Sequence, residues 1–227
     1  MVRPILGIDT ASRRGSLALD GVTPAAVETL AEGGRHAGDL LPVIERLLER
    51  AGVARTDLGG IGVVVGPGSF TGLRIGLATA KGLGFALDIA VEGLSTLEAI
   101  ARAAALTTEA GGASGLCALI EAGRGEVYAA RFALENGSAR RLDTDAAWAP
   151  ADLAASLTPG ILLAGDAAPR LLTGDPPPYR ALRLPALAPA VAAWARSVIP
   201  EGARYRPGGP PPNYVRPSDP EAPRRRP

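Results

Sequence analysis

Ile61-Gly62-Val63-Val64-Val65-Gly66-Pro67-Gly68-Ser69-Phe70-Thr71-Gly72-Leu73-Arg74-Ile75-Gly76 is the stretch whose pattern sets the fold class. Its first five residues form a continuous apolar run, as in a strand buried on both faces. Gly66-Pro67-Gly68 interrupts the run, and the residues beyond it predict a helix from Leu73 to about Leu87. Three catalytic templates fail on spacing. GxxxxGK[ST] finds Thr71 in place of its second glycine and no lysine. GxGxxG finds Gly66 and Gly68 but Thr71 in the third position. GxSxG around Ser69 meets Pro67 and Thr71. What survives is a strand, a tight turn, a Ser or Thr cap and a helix N-terminus with unpaired amides. Gly68, Ser69 and Thr71 could hold an anion there, or the turn could simply join two elements.

Upstream, Pro4 to Ile8 and Ser16 to Leu19 read as a hairpin around a polar turn, with a third strand near Ala26 to Ala31. Asp9 and Thr10 stand at the hairpin tip, where a carboxylate serves either a hydrated cation and phosphate or ordinary turn chemistry. A helix is predicted over 39–51, with Leu40, Leu41, Ile44, Leu47 and Leu48 at three- and four-residue spacing. In the helix after the turn, Gly72, Gly76, Ala80 and Gly84 recur every fourth position. Each glycine inside a helix costs roughly 0.8–1.0 kcal/mol relative to alanine, so the stripe implies a close helix approach. The neighbour is either the chain's own sheet and the 39–51 helix, or another subunit. On the second reading Leu40, Leu41, Ile44, Leu48, Gly72, Gly76, Ala80 and Gly84 form a partner interface.

A helix over 95–105 leads to a second unit. It has paired strands at 116–120 and 126–134, with Val127, Ala129 and Arg131 facing opposite to Tyr128, Ala130, Phe132 and Leu134. A short strand follows at 161–164, then a helix at 189–198 with Val191, Trp194, Ala195 and Val198 on one side. These readings divide the chain into an N-terminal partner-binding lobe (1–105), a C-terminal lobe (106–206) and a Pro-rich, largely mobile tail (207–227). The tail holds eight of the 21 prolines and ends in Arg224-Arg225-Arg226-Pro227.

Single residues narrow the chemistry. One cysteine, Cys117, excludes an internal disulfide, and one histidine, His36, excludes a multi-histidine metal site and a conventional triad. The expectation is therefore no metal, and beyond fragments of a phosphate cradle the residues offer no catalytic set and no cofactor site. Net charge is +1 (24 basic, 23 acidic), and aromatics are 4%, so composition gives no footprint for sequence-independent nucleic-acid binding or a stacking platform. The apolar runs are too short for a membrane span or secretory signal, which points to the cytoplasm.

Gly7-Ile8-Asp9-Thr10-Ala11, the run from Gly66 to Gly76, Gly93-Leu94-Ser95-Thr96-Leu97, Gly125-Glu126-Val127-Tyr128 and Pro212-Asn213-Tyr214-Val215-Arg216 together resemble the TsaB (YeaZ) family, in order and over nearly the whole chain. The resemblance implies an α/β, actin- and hexokinase-like (ASKHA) fold with two related lobes, the second reduced. It implies a non-catalytic subunit in threonylcarbamoylation of the adenosine beside the anticodon of tRNAs reading codons that start with A. Its partners would be the transferase TsaD, as a heterodimer, and the ATPase TsaE in a larger complex, with tRNA engaged indirectly. Without TsaD the same surface would make a homodimer. The two metal-binding histidines of TsaD would correspond to Gly93 and Leu97. Glu121-Ala122-Gly123-Arg124 departs from the family's Asp-Ala-Arg, which weakens a second phosphate-binding turn. The competing function is a free-standing ASKHA-type phosphotransferase or glycopeptidase-like hydrolase.

Overall fold

The structure, a computed structural model, describes residues 3–30, 36–107, 110–174 and 177–215. Its first sheet begins with the expected hairpin, β1 (Ile5–Asp9) and β2 (Ser16–Asp20), extended antiparallel by β3 (Ala26–Thr29). On the other side of β1 lie β4 (Gly60–Gly66) and β5 (Val91–Ser95), both parallel, giving the order β3-β2-β1-β4-β5. The second sheet repeats this plan. Strands β6 (Gly115–Gly123), β7 (Glu126–Glu135) and β8 (Ser138–Arg141) are antiparallel, and β9 (Ala146–Trp148) also pairs with β7. Strands β10 (Leu162–Ala164) and β11 (Arg180–Leu182) add in parallel beside β6, so the order is β8-β7-β6-β10-β11. Two lobes of one topology, the second with longer hairpin strands but shorter parallel strands, are the ASKHA arrangement that the resemblance implies.

Helices fill the layers. Helices α1 (His36–Arg50) and α2 (Phe70–Leu87) cover the outer face of the first sheet, where Leu40, Ile44, Leu47, Leu77 and Ala80 meet Leu6, Ile8, Ile61 and Val63. Helices α3 (Thr96–Ala105) and α5 (Ala188–Val198) pack together between the sheets, and α4 (Pro150–Ser156) lies on the far face of the second. The predicted alternation on β7 holds for its apolar residues. Val127 and Ala129 face Cys117 and Leu119, while Ala130 and Phe132 face the α3 side.

Three expectations need correcting. The helix at 189–198 belongs spatially to the first lobe, although 106–206 was expected to form the second. It lies on β1, β2 and β4, with Ala192 and Ala195 set against Gly7 and Gly62. A Cβ on Gly62 would stand 2.7 Å from the Ala195 methyl, so the contact requires small residues on both sides. For the same reason its buried stripe is Ala188, Val191, Ala192 and Ala195, while Val198 is exposed. Second, α3 packs on the second sheet although it falls within the first sequence lobe. Third, 207–215 is docked. The Asn213 amide donates to the Val65 carbonyl (2.7 Å), and Pro210 stands against Gly93. The rest of the expected tail, including Arg224 to Arg226, lies outside the described residues, as does Ala31. No helix among the described residues is long and apolar enough to cross a membrane.

Candidate functional site

The β1–β2 turn and the β4–α2 turn meet at the end of the first sheet. Asp9 is fully buried, and its carboxylate accepts from the amides of Ala11 and Ser12 (both 3.1 Å) and from the Ser12 hydroxyl. These donors come from its own turn, so the carboxylate shapes the loop it sits in. Thr10 Oγ1 donates to the Gly72 carbonyl at 2.7 Å. The Ser69 amide donates to the Ala11 carbonyl (3.0 Å), and Ser69 Oγ caps α2 by accepting from the Gly72 amide (3.2 Å). Gly66 and Gly68 adopt φ of 108° and 152°, where a side chain would be strained, and a Cβ on Gly68 would meet the Ala11 carbonyl at 2.5 Å. Asp9, Thr10, Gly68 and Ser69 are therefore brought together, with Thr71 on the exposed side of the first α2 turn. Their mutual hydrogen bonds make this a packed junction.

The small-residue stripe also faces inward, which corrects the interface expectation. A Cβ on Gly72 or Gly76 would collide with Thr10, and one on Gly84 with Val91. Ala80, Leu40, Ile44 and Leu48 are buried in the first-sheet core. Close approach here serves the chain's own turn and strands. Of the eight expected interface residues only Leu41, 49% exposed, lies open. The outward face of α2 instead carries Ala78, Gly82 and Phe85, one helical stripe, with Phe85 76% exposed. That stripe was readable by spacing, but spacing alone does not say which stripe faces the core.

A polar tie went unread in the sequence. The Asp145 side chain accepts from Ser95 Oγ, Asn213 Nδ2 and Arg141 Nη1, each at 2.7 Å. It joins the start of α3, the second sheet and the docked C-terminal segment around one carboxylate. The signal lay in the Gly93–Leu97 and Pro212–Arg216 motifs, which carry Ser95 and Asn213. Leu97, one position compared with a histidine of TsaD, is fully buried in the core. The thiol of Cys117 is pushed up to about 12 by burial, then by the charge of Asp143, so it stays protonated and unreactive at neutral pH. Among the described residues no group of three His, Cys, Asp or Glu side chains could hold a metal ion. Between the lobes a cleft of about 430 Å³ opens, lined by Ser12, Arg13, Ile100, Ile120, Asp166 and Leu184 among others.

Residues 18–171 match the family described as "TsaD: tRNA N6-adenosine threonylcarbamoyltransferase". The tRNA threonylcarbamoyladenosine biosynthesis protein TsaB of Escherichia coli is 37% identical over 149 residues, 64% of this chain and 62% of the relative. The Bacillus subtilis protein of the same name is 35% identical over 139 residues, 59% of this chain and 56% of the relative. The chain thus spans less than two thirds of either curated relative. A solved structure, YeaZ from Pseudomonas aeruginosa, is 30% identical with a TM-score of 0.74, covering 94% of this chain and all of that one.

Proposed function

The chain belongs to the TsaB (YeaZ) family, and from that membership we propose that it is a cytoplasmic, non-catalytic subunit required for threonylcarbamoyl transfer to tRNA adenosine. It binds a TsaD-type transferase as a heterodimer and supports recruitment of the ATPase TsaE. The observation that carries this reading is the outward face of the α1–α2 layer. Leu41 on α1 and Ala78, Gly82 and Phe85 on α2 leave an apolar, small-residue surface in solvent on two helices whose other stripes already serve the core. The same chain matches the TsaD family itself, so a TsaD-type partner presents a related helical layer, and like layers pair about an approximate twofold axis. With no TsaD-type partner present, the same face pairs two copies of this chain.

The test is co-purification with a TsaD-type transferase and a tRNA-modification assay in which each component is omitted in turn. Modification should require this chain, and Ala78→Arg should keep the melting temperature while losing co-purification and activity. Modification of tRNA by the purified chain alone, or ATP hydrolysis above background, would establish the enzyme reading. Full activity without the chain would remove the required role.

A further inference from the structure

After α5 the chain turns back across the first lobe. Strand β5 is the last strand on its side of the first sheet, and residues 203–215 run along that open edge. The Ala203 carbonyl accepts from the Ala90 amide (3.2 Å), Pro210 stands against Gly93, and the Asn213 amide donates to the Val65 carbonyl (2.7 Å). Apart from local turns, those are the two backbone hydrogen bonds that tie the segment to the described chain. Pro207, Pro210, Pro211 and Pro212 have no amide to offer, so no strand ladder forms and the segment is held at points. Side chains supply the other holds, and they reach both lobes. On α2, Tyr205 meets Phe85 edge-on at 6.0 Å, Tyr214 meets Phe70 at 5.6 Å, and Arg204 pairs with Asp88 just past the helix. On the second lobe, Asn213 Nδ2 donates to the Asp145 carboxylate that also holds Ser95 and Arg141. No residue of 203–215 is buried. A segment with so little buried surface and so few backbone hydrogen bonds opens at a lower free energy than the sheet it crosses.

We infer that 203–215 is a releasable strap that passes as one unit between a docked and an open state, and that the docked state braces the partner-facing side of α2. Phe85 belongs both to the outward stripe of α2 and to the ring contact with Tyr205. Partner and strap therefore touch one side chain. A partner that buries Phe85 in its braced position binds the docked state better, and by reciprocity holds the strap down. Asp145 is the positioning residue of this device: it sets the docking from the second lobe, through Asn213, without lying on α2 itself. The identity of the partner rests on the proposed function. The opening of the strap does not.

The experiment is residue-resolved hydrogen exchange on the full chain, read at the amides of Ala90 and Asn213, one at each end of the strap. In the unaltered chain both should open together and more readily than the amides of β1. Asn213→Ala removes a hydrogen bond to a carboxylate and should speed exchange at both amides by about tenfold or more. Asn213→Asp sets like charge against Asp145 and should open the strap further. Combining it with Asp145→Asn lets amide and carboxylate exchange places and should restore part of the protection. A TsaD-type transferase should protect both amides, and by calorimetry its affinity should fall by about fivefold or more in Asn213→Ala. Phe85→Ala and Asn213→Ala should then be non-additive in that affinity. If Asn213→Ala does not fold, Tyr205→Leu releases the other end and is read in the same way. A response at Asn213 with none at Ala90 overturns the inference, because the segment is then not one unit. So does an opened strap that leaves the transferase affinity unchanged. If the unaltered chain binds no TsaD-type transferase, the proposed function fails and the bracing role with it, while exchange at the two amides still decides whether the strap opens as a unit.

Discussion

The two lobes share one strand order, yet the junction at the end of each hairpin is built differently. In the first lobe the β1–β2 turn is buried and cross-linked, with Asp9 holding its own loop and Thr10 bonded to α2. In the second, the β6–β7 turn runs through Gly123, Arg124 and Gly125 with φ of 72°, 54° and 80°, and added Cβ atoms on its glycines would meet nothing within 4 Å. The helices differ in the same sense. On its outer face the first lobe carries α1 and α2 of 15 and 18 residues, the second an α4 of seven and the 3-10 turn Ala168–Leu171. Equal topology therefore does not mean equal constraint. At the hairpin turn it is the first lobe where a substitution must disturb backbone, and the first lobe also has the helix surface left over to meet a partner.

The sharpest way to break this comparison is Gly76→Leu. The new side chain would enter Thr10 from the buried side of α2, and overpacking at such a site costs about 3 kcal/mol. A fall of that size in the unfolding free energy is expected in urea denaturation, with loss of partner binding only as a consequence of unfolding. A variant that folds normally but loses partner binding would return the small-residue stripe to the interface. Next comes the pair Asp9→Ala and Glu121→Ala, one at each hairpin turn. Removing Asp9 leaves buried donors without an acceptor and should cost about 2 kcal/mol. Removing Glu121 loses a 3.3 Å pair with Arg170 between half-exposed side chains and should cost less than about 1 kcal/mol. Equal losses in chemical denaturation would show that the two junctions are energetically alike.

A smaller effect of opposite sign tests the outward face of α2. Gly82 lies in the helix interior, exposed, with nothing within 4 Å of an added Cβ. Gly82→Ala should therefore stabilise the isolated chain by roughly 0.8–1.0 kcal/mol, measured by thermal or urea unfolding. A loss of stability would mean that this face is already packed in solution, as in a homodimer, and a concentration-dependent melting temperature would identify that state.

These residues also mark how far the sequence carried. Continuous or alternating apolar runs made β1, β2, β4, β6 and β7 legible, and three-four spacing made α1, α2 and α5 legible, because each buries a face whose period is local. Strand β5 was hidden, since Glu92 and Gly93 interrupt its pattern, and β8, β9 and β11 are too short to have one. Placement failed where the cause is non-local. Nothing in Ala188 to Val198 says that its alanines fit over Gly7 and Gly62 of the other lobe. The segment 207–215 reads as largely mobile from its prolines, with only Tyr214 and Val215 set apart as residues able to dock, yet Asn213 pairs with Val65 and Asp145 at the lobe junction. At the candidate site, the structure brings Asp9 and Thr10 of one turn against Gly68 and Ser69 of the other, with Thr71 on the exposed side. Their role turned on hydrogen-bond partners, which residue types do not reveal.

The finest test lies where the parallel strands beside the two hairpins end. Both run into a glycine at positive φ, Gly66 (108°) and Gly165 (126°), but Pro67 follows in the first lobe and Asp166 in the second. Asp166 lines the cleft between the lobes and accepts from the Glu121 amide at 3.2 Å. Burial pushes its carboxyl above the ordinary range, opposed by that hydrogen bond and by the charge of Arg13 and reinforced by the Glu121 carboxylate. A raised folded-state value means that the native protein holds the proton more tightly than the unfolded chain does. The stabilising contribution is then complete below the unfolded value of about 3.9 and is lost as pH rises through the native value. Asp166→Asn keeps an acceptor for Glu121 and removes the buried charge. It should match the unaltered protein at the acid end of the window and exceed it slightly at pH 7, in urea unfolding at both pH values. If the variant is instead weaker at pH 7, attraction to Arg13 outweighs burial. The second lobe would then be tied to the β1–β2 turn by charge across the cleft, and the two junctions would be mechanically coupled.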